Sequence, residues 1–177
     1  EAERGAAAPG AQRANLPAPP SEGRGSVAAA ETAAPEVRIL AAERTTLADI
    51  PFVSFSCQAT NPNKAPLTFV GYRPDSFGPP LQEGQIAPIY VVELKRDGEW
   101  HEHPMGWCGT GMDAIELPPG GSGSFGFAVP AGPQWEAARV GIRWSPPLTV
   151  PFEEVPLAGE EPFTTAWSEP FNPSASE

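Results

Sequence analysis

Proline or glycine falls at about every fourth position of this chain, with 24 and 18 among its 177 residues. Proline removes a backbone donor and clashes inside a helix, and glycine weakens a helix through its entropy. Long helices are thereby excluded. What remains for a chain with 40% hydrophobic residues is a set of short extended segments separated by turns. That hydrophobic share suffices for a core, and the length suits one ordinary domain with tails.

Alternation marks the strands. Val37 to Leu40 opens the first. In residues 51–60, Val53, Phe55, Cys57 and Ala59 alternate with Ser54, Ser56, Gln58 and Thr60, which predicts a half-buried strand with Cys57 on its inward face. Asn61-Pro62-Asn63 ends it, and Leu67 to Tyr72 forms the next. Ile89 to Lys95 is strongly β-forming, and Asp97-Gly98 suits a type I′ turn. A two-residue loop there sets Leu94 opposite His101 and Val92 opposite His103. Ile115 and Leu117, then Phe125, Phe127 and Val129, then Val140, Ile142 and Trp144 continue the pattern. Seven or eight short strands with regular turn signals predict an antiparallel β-sandwich over residues 37–152.

Both flanks differ from this domain. Residues 1–36 are rich in Ala, Pro and Gly and hold no aromatic residue, so they read as a low-complexity flexible tether. Residues 153–177 form an acidic-aromatic segment, with six glutamates around Phe163, Trp167 and Phe171. It reads either as an edge strand with a solvated tail or as a segment that docks on a neighbour. The net charge of −11 excludes nucleic acid and anionic lipid as partners, since both need clustered Lys and Arg. No apolar run approaches the roughly 20 residues of a membrane span. The chain begins at Glu1 without a methionine, which leads to the expectation of a removed leader and an extracytoplasmic location, periplasmic or cell-surface.

The window HEHPMGWCGTGM concentrates the reactive side chains: His101, His103, Met105, Cys108 and Met112. It reads in two ways. Histidines at i and i+2 of a strand project from one face, and with Met105 and Cys108 they make a soft donor set suited to copper. Alternatively, Cys57 and Cys108 form one disulfide that staples a glycine-flanked, Trp107-bearing loop to the sandwich, closing about 50 residues. The disulfide is the expected state, with no cofactor. No serine lies in a GxSxG context and no carboxylate pair is marked as acid and base, so no catalytic residue is assigned. Trp100 and Trp107 read as core or interface cover, with a sugar-stacking platform as the alternative.

The runs VELKRDGEW (92–100), GWCGTG (106–111) and ELPPGGSGSFGF (116–127) resemble small Ig-like or fibronectin-III-like domains of secreted bacterial proteins. They are similar also to the BsuPI-type proteinase-inhibitor domain. The pattern departs from true immunoglobulin domains in offering Tyr72 where a core Trp follows the first cysteine. The resemblance implies an all-β, Ig-like antiparallel sandwich and carries no functional residue. The expected function is a non-catalytic extracytoplasmic interaction module, an accessory or structural subunit with protein partners, using Trp107, Phe163, Trp167 and Phe171. Two alternatives are a copper or soft-metal binder and a carbohydrate- or protease-binding module.

Overall fold

The computed structural model describes residues 32–76, 80–107, 111–131, 135–155 and 162–172. They form nine strands: β1 (Glu36–Leu47), β2 (Ile50–Thr60), β3 (Leu67–Tyr72), β4 (Tyr90–Arg96), β5 (Glu99–His103), β6 (Met112–Leu117), β7 (Ser122–Pro130), β8 (Ala137–Ser145) and β9 (Thr164–Trp167). Every pairing between them is antiparallel. β1, β2 and β7 make a three-stranded sheet in the order β1-β2-β7. The other six make a second sheet in the order β5-β4-β8-β3-β6, with β9 also paired to β8. Ile142 of β8 has Tyr90 of β4 on one side and Ala166 of β9 on the other.

The small sheet obeys the two-residue period. β2 buries Val53, Phe55, Cys57 and Ala59, and β7 buries Phe125, Phe127 and Val129, while their intervening residues stay on the outer side. These side chains share one apolar cluster with Phe69, Val92, Leu94, Val140, Ile142 and Trp144 of the large sheet. At its centre Phe55 stacks on Phe127, ring centroids 4.6 Å apart. Each such large apolar side chain stabilises the fold by about 1.5–3 kcal/mol on full burial.

At its centre the large sheet does not alternate, because β3 and β8 are covered on both faces. β8 is buried along most of its length. At Gly141 a Cβ would lie 2.9 Å from a Trp167 ring carbon, so only glycine lets β9 lie this close. On the outer side of β3, Val70 packs with Val155 and Phe163 in a second small cluster.

Phe163, expected in a docking segment, is therefore 2% exposed inside the fold. Phe171 exchanges two backbone hydrogen bonds with Ala138, at 2.9 and 2.8 Å, and its ring meets Phe55 edge-on. Residues 162–172 thus fold onto their own sheet, past the expected domain limit at residue 152. At the other end, Asn63 holds Ala33 by two hydrogen bonds, at 3.0 and 2.8 Å, so part of the expected tether packs on the domain. Residues 1–31 and 173–177 lie outside the described residues.

Candidate functional site

The β4–β5 hairpin has the expected turn. Asp97 and Gly98 sit at φ 51° and 81°, and the register pairs Lys95 with Trp100, Leu94 with His101 and Val92 with His103. β5 is an edge strand, so His101 is exposed and His103 half-buried although both share a side with core residues. Met105 packs, partly buried, against the main core. Among the described residues no three His, Cys, Asp or Glu side chains come together in a way that could hold a metal ion. Cys108, the remaining expected copper ligand, lies outside the described residues.

Trp100 and Trp107 have different neighbours: Trp100 packs under Arg139, and Trp107 packs against Tyr72 and Tyr90. Trp100 lies on the outer side. There the Arg139 guanidinium sits 4.5 Å above its ring and 4.7 Å from the ring of Trp167, and pairs with Glu93. Arg139 therefore clamps β9 across β8 onto the β4–β5 hairpin. Trp107 lies at the inward edge. Its Nε1 donates to the Tyr90 carbonyl at 3.2 Å, and its ring stands edge-on to Tyr90 at 4.5 Å. Tyr90 in turn lies against Phe125 and Phe127.

These rings border a cleft of about 550 Å³. Its lining brings together Cys57, Tyr72, Ile86, Tyr90, Trp107 and Phe125, with Ser54, Ser56, Gln85 and Ser124 adding neutral polar groups. Among the described residues no charged side chain lines it. One wall is a strap over residues 84–86, which the sequence offers only as loop. The Ser124 amide donates to the Gly84 carbonyl at 2.8 Å, and the Ile86 amide donates to the Ser124 carbonyl at 2.9 Å. Ile86 then sits where a side chain at Gly123 would be, so Gly123 admits the strap. The volume falls within the range of small-ligand sites.

Cys57 is a free, buried thiol, and no disulfide is seen among the described residues. The expected bridge to Cys108 is therefore not supported; Cys108 itself lies outside the described residues. Burial pushes the Cys57 thiol up to about 12. Tyr90 is pushed up to about 12 as well, by burial first and then by repulsion from Cys57. Both groups are protonated at neutral pH. A thiol held in that form is a poor nucleophile.

The cleft was only partly readable beforehand. Alternation placed Cys57 and Phe125 inward, and Tyr90 shares the parity of Val92 and Leu94. The strap gave a faint signal: Ile86, Ala87 and Ile89 are apolar residues inside a proline-rich connection. No family model matches the chain, and no curated protein matches it. Among the described residues no helix is long and apolar enough to cross a membrane.

Proposed function

We propose that this chain is a non-catalytic interaction module on an Ig-like sandwich, working outside the cytoplasm as an accessory or structural subunit. One observation carries the reading: an uncharged, aromatic-walled cleft whose rim residue Trp107 is 36% exposed. Such a surface suits a protein partner that inserts an apolar, uncharged side chain, since Trp anchors of this kind dominate recognition energies. The protonation of Cys57 and Tyr90 supports binding over catalysis, because neither group is poised to exchange a proton near neutral pH. The tether-like composition of residues 1–36 supports an extracytoplasmic setting.

A second reading draws on the same cleft. Its serine hydroxyls and Gln85 beside flat rings also suit a neutral carbohydrate. The two are separated by panning a displayed peptide library and a glycan array against the chain, with Trp107→Ala as the counter-screen. The proposal expects peptide binders with an apolar anchor whose affinity falls at least tenfold in Trp107→Ala. Glycan binding lost in the same variant would favour the carbohydrate reading. Stoichiometric copper uptake without either would return the assignment to His101 and His103.

A further inference from the structure

The two edges of the three-stranded sheet are finished differently. At Ser124 the β7 edge is met by the chain's own strap at residues 84–86. β1 forms the other edge and pairs with β2 alone over its 12 residues. Among the described residues no other strand pairs with it. An edge of this length presents a row of unsatisfied amides and carbonyls, a template for another strand.

β1 carries the usual guards against such pairing. Glu36, Arg38, Glu43 and Arg44 are exposed, and a bulge shifts the register between Ile39 and Ala41. Leu40, in the bulge, is 58% exposed. The bulge also switches parity. Before it, Glu36 and Arg38 are exposed while Val37 is buried; after it, Glu43 is exposed opposite Ser54 while Ala42 packs toward the core opposite Phe55.

These guards reject an arbitrary strand, yet one register of β1 against itself turns two of them, Arg38 and Glu43, into partners. With a two-fold axis between Leu40 and Ala41, Arg38 faces Glu43 of the second copy, and Glu43 faces its Arg38. Ile39 then faces Ala42 on the inward side, extending the apolar face that both already join. A shift of one residue sets outward side chains against inward ones. A shift of two residues one way sets Glu36 against Glu43, a like-charge pair; the other way it sets Glu43 against Leu40 and Arg38 against Thr45, and both ion pairs are lost. Of these registers only the first sets Arg38 against Glu43 in both directions.

The geometry points to an antiparallel two-fold dimer in which β1 joins β1 of a second copy, giving one sheet with three strands from each chain. The existing Arg38–Glu36 contact, 2.8 Å between two well-exposed side chains, is no obstacle, because surface pairs of this kind contribute little. The dimer does not rest on the cleft reading, although Leu40, beside the two-fold axis, also lines that cleft.

Sedimentation equilibrium of the full chain at low ionic strength tests it. A concentration-dependent dimer is expected. Arg38→Glu places like charges at two symmetric positions and should weaken it roughly tenfold, as should Glu43→Arg. The double exchange R38E/E43R should restore wild-type affinity, a recovery that misfolding could not produce. Trp107→Ala should leave the dimer unchanged. A chain that stays monomeric to about millimolar concentration, a dimer indifferent to both single exchanges, or a dimer lost in Trp107→Ala would overturn the assignment.

Discussion

Asn61 shows how one buried polar side chain can hold several turns. It is fully buried, at 0% exposure. Its side-chain amide donates toward the carbonyls of Ala65, Leu117 and Pro118 at 2.9, 3.0 and 3.1 Å, and its Oδ1 accepts from the backbone and side-chain amides of Asn63. The turn after β2 is thereby tied to the turn between β6 and β7. Asn61-Pro62-Asn63 was legible as a strand terminator, because Asn and Pro favour turns locally. The carbonyls of residues 117 and 118 lie too far along the chain to be inferred. Asn61→Ala would leave the buried Leu117 carbonyl and the part-buried Ala65 and Pro118 carbonyls without their donor. We expect a loss of about 2–3 kcal/mol, read as a lower urea midpoint at unchanged slope. Asn61→Asp, which cannot donate to them, should be no better.

The hairpins show what decides turn recognition at the scale of elements. Asp97-Gly98 was readable in advance because glycine enters the left-handed region freely, and the register that follows from a two-residue loop is the one observed. The longer β1–β2 hairpin turns at Ala48 and Asp49, both also left-handed, at φ 48° and 64°. Ala-Asp carries no such signal, so the sequence showed a first strand but not its partner or length. The turn is held by eleven residue pairs of the hairpin ladder rather than by its own residues. Alanine in that region is strained by about 1 kcal/mol or more. Ala48→Gly should therefore raise stability by about 0.5–1 kcal/mol, after the unfolded-state entropy of glycine is deducted, and thermal unfolding would show it. A drop in melting temperature would mean that the Ala48 backbone is not strained.

At the scale of the whole molecule, the two perturbed groups lie together in the cleft and give the fold an alkaline limit. Cys57 rises from about 9 to about 12 and Tyr90 from about 10 to about 12. Above pH 9 the unfolded chain releases these protons while the native chain keeps them, so the unfolded state binds fewer protons. Stability from these groups is fully present below pH 9 and is lost as pH climbs toward 12. A urea series across that range should show the decline, and Cys57→Ala should flatten its first part, between pH 9 and 10. An unchanged profile in that variant would exclude Cys57 as a contributor. Taken by itself, the sequence determined the all-β class, the inward faces of β2, β4 and β7, and the β4–β5 register. Those features depend on contacts between near neighbours and on a period of two. Only the tertiary structure decided which strands share a sheet, that residues 162–172 return to cover it, that Cys57 is a free thiol, and that a strap meets the β7 edge at Ser124 while, among the described residues, β1 pairs only with β2. Each of these depends on burial and pairing between distant segments, where many weak local preferences are outweighed by one shared core.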